Sequence, residues 1–151
     1  FVGQVVNVIR STVQENSYIL TEWAPPVIAP AYVAQYKIFR AEDSGTFQFK
    51  ANVGPYSTSY IDEDVNIDEA TYQYRIEVQN ICEVLNEAGS PGTSILLQSE
   101  VIEDHPVLYW TPYDEWDAGV HHYEIERKNA DGEWEVIKKV GPGEKRVIIK
   151  K

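Results

Sequence analysis

The sequence predicts an all-β chain of two successive β-sandwich modules, the second of them incomplete. Three observations carry this prediction. The chain is self-similar at one constant offset, its apolar residues alternate with polar ones in short runs between turn signals, and its composition favours strands. Ten tyrosines and four tryptophans among 151 residues, with many valines and isoleucines, suit pleated, half-buried surfaces better than helices.

The repeat is the strongest of the three. Sliding the chain by 87 positions places Trp23 on Trp110 and Pro25 on Pro112 without a gap. Val33, Tyr36, Ile38 and Arg40 fall on Val120, Tyr123, Ile125 and Arg127, Gly45 on Gly132, Phe47 on Trp134 and Phe49 on Val136. The run Val53-Gly54-Pro55 falls on Val140-Gly141-Pro142. Within each copy, Tyr36 and Ile38 alternate with Lys37 and Phe39, as in a strand with one buried face. The polar stretches 41–45 and 128–132, each closed by glycine, read as hairpin turns. Phe47 to Val53 is the return strand, and Ser59 to Ile61 a short one. Tyr72, Tyr74, Ile76 and Val78 alternate with Gln73, Arg75, Glu77 and Gln79 in the clearest strand, and Thr93 to Leu97 closes the unit. Short strands at this spacing indicate a sandwich.

Expected module bounds are 1–98, complete, and 99–151, the N-terminal part of a second module. At the constant offset the chain stops at the counterpart of Asp64, so counterparts of the strands at 72–79 and 93–97 are missing, and the biological polypeptide is expected to continue. Only residues 98–100 separate the modules, so a semi-rigid, rod-like tandem is expected. The expected core includes Trp23, Tyr36, Ile38, Tyr72, Tyr74 and Ile76 in the first module, and Trp110, Tyr123, Ile125, Trp134 and Val136 in the second.

The formal charge of −11 argues against nucleic acid, which is bound through Lys and Arg that displace counterions, and against an anionic membrane surface. No apolar run approaches the ~18 residues of a membrane span. The first thirteen residues do not read as a signal peptide. With no methionine present, an internal or processed fragment is expected. Lys138, Lys139, Lys145, Arg146, Lys150 and Lys151 crowd the C-terminal end, where a lysine-protected edge strand is the first reading and a basic docking patch the second. Cys82 is the only cysteine; it reads as a small buried hydrophobe, neither a disulfide partner nor a zinc site by itself.

Candidate chemistry is sparse. His121 and His122 fall side by side on an expected strand, with side chains on opposite faces, and His105 stands apart. Asp62-Glu63-Asp64 with Asp68-Glu69, and Asp114-Glu115 with Asp117, offer hard oxygens suited to calcium, but neither follows a recognised loop spacing. No cofactor is therefore expected, calcium being the one candidate. A glycosidase pair needs two carboxyl groups about 5–9.5 Å apart across a cleft, which sandwich loops of this length do not promise. There is no phosphate-cradling loop, nucleophile triad or cofactor fingerprint, and no enzymatic activity is expected. Tyr113 and Trp116 lie in the loop between the second and third strands of the second module. They either pack locally or form an aromatic contact for a sugar or protein partner.

Trp23-Ala24-Pro25-Pro26 resembles the end of strand B in fibronectin type III domains, and Thr71-Tyr72-Gln73-Tyr74-Arg75-Ile76 resembles their strand F. Tyr72 matches the tyrosine-corner position, whose hydroxyl bonds back to the chain while its ring fills the core. A narrower resemblance rests on Thr93-Ser94-Ile95-Leu96-Leu97, on the run Trp110 to Val120, and on Tyr123, Ile125 and Arg127. These segments look like paired modules near the C-termini of gliding-motility-associated surface proteins and adhesins exported by the type IX secretion system. That resemblance covers nearly the whole chain. It implies an extracellular or cell-surface location, partners among neighbouring modules of the same polypeptide, and possible contacts with secretion or gliding machinery or surface polysaccharide. Members often pair cysteines around the loop after strand F, whereas Cys82 stands alone. Two function classes follow: a structural and adhesive spacer, or an accessory binding module of a secreted polysaccharide-degrading enzyme.

Overall fold

The computed structural model describes residues 5–28, 30–86, 88–113, 115–116 and 118–150. The chain divides into two compact units, Phe1–Leu96 and Leu97–Lys151. In unit 1 the strands are β1 (Val8–Gln14), β2 (Tyr18–Trp23), β3 (Val33–Glu42), β4 (Gln48–Val53), β5 (Ser59–Asp62), β6 (Tyr72–Asn80) and β7 (Gly92–Thr93). They form two antiparallel sheets, ordered β1-β2-β5 and β4-β3-β6-β7. The chain changes sheet after β2, β4 and β5, so the strand order is that of a fibronectin type III-like sandwich.

Burial along β6 alternates at every residue. Tyr72, Tyr74, Ile76 and Val78 face the opposite sheet, where Ile19, Thr21 and Trp23 of β2 are also buried. A register slip of one residue would turn all of these outward, so the pattern fixes the pairing. The expected core residues of this unit are all buried, and the Trp23 and Tyr36 rings meet at a centroid distance of 5.5 Å and 58°. At the entry to β6, the Asn66 backbone N–H donates to the Tyr72 hydroxyl at 2.8 Å, which is the corner bond. Tyr72→Phe removes only that hydroxyl and should lower stability by about 1–2 kcal/mol. A urea midpoint unchanged from the parent chain would contradict the corner's role.

The first hairpin forms as expected, and one strand boundary is corrected. The β3–β4 hairpin places Asp43 and Ser44 in the left-handed region, at φ 49° and 61°. Gly45 is needed there for another reason: a Cβ at that position would lie 2.9 Å from the Glu42 carbonyl oxygen. The closing strand ends at Thr93 and not at Leu97. Ser94 bonds Tyr72 through both backbone and side chain, and Leu97 opens the next unit.

Unit 2 contains β8 (Leu97–Ile102), β9 (His105–Trp110), β10 (Tyr123–Lys128), β11 (Trp134–Val140) and β12 (Arg146–Ile148). Its sheets are ordered β12-β9-β8 and β10-β11. These five strands stand at the places of β1 to β5. Trp110 and Tyr123 reproduce the ring pair of unit 1, again at 5.5 Å and 58°. Among the described residues nothing corresponds to β6 or β7. Tyr123 is accordingly half-buried, where Tyr36 is fully enclosed.

The two copies differ in register although their sequences align without a gap. The β1–β2 pairing closes at Gln14 opposite Tyr18, whereas β8–β9 closes at Ile102 opposite His105 around Glu103 and Asp104, both with positive φ. The tighter turn supplies one residue of shift and the bulge between Val8 and Arg10 in β1 the other, so Trp23 pairs with Val8 but Trp110 with Leu97 and not with Ile95. Two expected core residues are also not core: Trp134 is 62% exposed and Val136 45%. Trp134 lies under the Lys128 ammonium, 5.3 Å from ring centroid to Nζ. Phe49, the counterpart of Val136, is 55% exposed in unit 1, so exposure at that place belongs to the position, whereas Phe47, the counterpart of Trp134, is half-buried.

Candidate interaction surfaces and a buried ion cluster

The acidic run after β5 builds a structural cluster. Asp62 is 1% exposed. Its carboxylate accepts from the Arg40 guanidinium at 2.9 Å, the Tyr74 hydroxyl at 2.8 Å and the Asp64 backbone N–H at 3.1 Å. Lys50 Nζ lies 3.6 Å from Asp62 and 3.0 Å from Asp64. A buried charge persists only when paired and hydrogen-bonded, and these four partners meet that need. Burial, then the bond to Asp62, pushes the Tyr74 hydroxyl far above the ordinary phenol range. Hydrogen bonding and charge from Lys50, with help from Arg40, hold the exposed Asp64 carboxyl below its ordinary value. The Asp62 and Asp64 oxygens, two of the five acids in that cluster, are thus engaged by cations of the chain itself. The second acidic cluster includes Asp114 and Asp117, which lie outside the described residues.

Arg40 follows Tyr36 and Ile38 at the inward parity of β3. An arginine on the buried face demands a buried counter-charge, and that signal in the sequence could have identified Asp62.

Of the two candidate contact residues in unit 2, Tyr113 is buried at 8% exposure and Trp116 is 47% exposed. Their ring centroids lie 4.6 Å apart with the planes tilted by 52°, and the Tyr113 backbone N–H donates to the Tyr123 hydroxyl at 3.0 Å. The structure brings the pair together and leaves Trp116 the more exposed of the two. Tyr113 joins the structural set with Trp110 and Tyr123.

The histidine expectation is corrected. His121 and His122 precede β10 and follow no strand alternation, so their rings are not driven apart. The two Nδ1 atoms are 2.7 Å apart, and His122 Nε2 lies 3.0 Å from a Glu124 oxygen that Lys139 also meets at 2.8 Å. Among the described residues no cluster of three or more His, Cys, Asp or Glu side chains is arranged for a metal. Cys82 is exposed, not buried. Asn80 ends β6 and its side chain accepts the backbone N–H groups of Cys82 and Val84. The chain therefore turns away before inward parity reaches Cys82. Lys138 and Lys139 are exposed on β11, which among the described residues pairs only with β10.

Among the described residues no helix is long and apolar enough to cross a membrane. No protein-family model matches the chain, and no curated protein matches it. Solved structures show low-identity likenesses. A Fn3-like protein from Clostridium thermocellum is 16% identical, with TM-score 0.46, over 58% of this chain and 85% of that one. A two-domain fibronectin type III segment from chicken tenascin is 16% identical, with TM-score 0.42, over 97% and 81%. The pectate lyase PelI from Erwinia chrysanthemi is 15% identical, with TM-score 0.48, over 59% of this chain, which spans only 28% of the lyase. Strand order and the Tyr72 corner bond, not these likenesses, define the fold as fibronectin type III-like.

Proposed function

We propose that the chain is a non-enzymatic structural and interaction segment of a larger exported protein, serving as a semi-rigid spacer at the cell surface or outside the cell. The observation that carries this reading is the repetition of one sandwich plan at a constant offset, down to the same Trp–Tyr ring geometry in both units. Repeated modules build reach and presentation, while chemistry needs a distinct site. The buried charges of unit 1 are spent on holding two sheets together. A role in gliding motility or surface adhesion, with neighbouring modules and the secretion or gliding machinery as partners, accords with the residues quoted for the narrower resemblance. Purified chain screened against glycoside, ester and peptide substrates should give only background rates. A turnover abolished by one acidic substitution would overturn the reading.

The exposed Trp116 favours a second reading, an accessory module that binds polysaccharide. Under it, migration in gels containing soluble polysaccharide would be retarded, and Trp116→Ala would abolish the retardation. The spacer reading expects no retardation with either chain.

A further inference from the structure

We propose that the three loops at one end of unit 1 form a surface that inserts into the interface of a neutral, zwitterionic lipid bilayer. The loops are 24–32 between β2 and β3, 54–58 between β4 and β5, and 81–91 between β6 and β7. Strand pairing brings them to the same end: Glu22 lies opposite Ser59, Tyr36 opposite Val53, and Val33 opposite Asn80. Backbone bonds tie them further, from the Ile81 N–H to the Tyr32 carbonyl and from the Trp23 N–H to the Thr58 carbonyl, each at 3.0 Å. Val27 is 98% exposed and Tyr56 78%, and Tyr32, Ile81, Val84 and Leu85 are exposed on the same loops. Single exposed apolar residues are ordinary, but a group of them on converging loops marks a contact surface.

Charge and hydrogen bonding select the occupant. The loops at the opposite end, 15–17, 43–47 and 63–71, carry six acids and no cation. The apolar end carries no cation either, and two acids, Glu83 and Glu87, the second of which lies outside the described residues. An anionic surface is therefore repelled, and a surface without net charge is not. A protein partner is met through hydrogen bonds around a polar rim, and much of this backbone has no donor to give. Pro25, Pro26, Pro30 and Pro55 lack an N–H. The Asn80 N–H donates to the Val84 carbonyl, that of Ile81 to Tyr32, and that of Glu83 to the Asn80 carbonyl. The Cys82 and Val84 N–H groups donate to the Asn80 side chain. Backbone that spends its donors internally, under apolar side chains, meets what a water-poor lipid layer demands. Tyr32 and Tyr56 add amphipathic rings of the kind that settle at headgroup level. The contact is peripheral, and it needs unit 1 alone.

The test mixes the full 151-residue chain with phosphatidylcholine vesicles and reads co-sedimentation. A second sample carries a nitrobenzoxadiazole fluorophore on Cys82, the single cysteine, which is exposed in the loop after β6. Binding at millimolar lipid is expected, with the fluorophore emission shifted to the blue. Val27→Asp combined with Val84→Asp should weaken partitioning at least about tenfold, with an unchanged thermal melt because both side chains are exposed. Val27→Trp should strengthen it, and replacing half of the phosphatidylcholine by phosphatidylglycerol should weaken it. No sedimentation or spectral shift at millimolar lipid would overturn the proposal. So would partitioning that the aspartates leave unchanged, or that rises with the anionic lipid. Lipid-free self-association abolished by Val27→Asp would also overturn it, since the loops would then join copies of the chain.

Discussion

Replacing Arg40 by alanine is expected to destabilise unit 1 by about 3–5 kcal/mol. Asp62 would stay buried at 1% exposure with its closest cationic partner gone. Lys50, at 3.6 Å, is longer than a good hydrogen bond and is shared with Asp64. The large effect comes from stranding a charge, not from the worth of the pair. Hydrogen exchange at the β6 amides reads the loss for this unit alone. Unit 2 carries Ile149 and Ile137 where unit 1 has Asp62 and Lys50, although it keeps Arg127 at the place of Arg40. Arg40→Met combined with Asp62→Ile, Lys50→Ile and Tyr74→Phe, which removes the hydroxyl that bonds Asp62, should recover most of the lost stability, because apolar replacement of a buried ion pair is often close to neutral. A single Arg40→Ala change that costs less than about 1 kcal/mol would mean that Asp62 finds water or another partner, and the cluster would not be structural.

Trp23→Ala should cost a similar amount, about 3–5 kcal/mol. The ring is 2% exposed and packs against Tyr36 between the two sheets. Its indole N–H has no hydrogen-bond partner among the described residues, so the loss is one of packing and apolar burial. The same change at Trp110 should cost clearly less. Trp110 keeps the ring contact with Tyr123, but its unit buries far fewer apolar side chains around it. Equal losses at the two positions, each read by amide exchange within its own unit, would show that unit 2 has a closed core after all.

The parts of this architecture that were legible in the sequence are those governed by period and offset. Tyr72, Tyr74, Ile76 and Val78 announce a one-faced strand, and the 87-residue shift from Trp23 to Trp110 places the first five strands a second time. What stayed hidden depends on where strands end. The β8–β9 turn is one residue tighter than its counterpart, which an ungapped alignment cannot register. His121 and His122 lie just before β10 rather than on it, and Cys82 lies just past β6. In each case a boundary displaced by one or two residues reverses what period-two reasoning says of the side chain. Asp62 was hidden differently. It reads as one acid in a solvated run, and only its geometry with Arg40 and Tyr74 makes it a core residue.

Expressing residues 5–96 and 97–151 as separate chains, and recording amide dispersion and thermal melting for each, tests most directly whether both units follow one plan that only the first completes. The first piece holds all seven strands and a continuous buried core. It should give well-dispersed amides and a single cooperative melt. The second piece has two sheets of three and two strands in a length near the lower limit for an autonomous core. It should be collapsed, aggregating or poorly dispersed, and should gain order only when strands like β6 and β7 are supplied. A monomeric second piece with dispersed amides and a cooperative melt of its own would contradict the account, because its five strands would then close a fold without counterparts of β6 and β7.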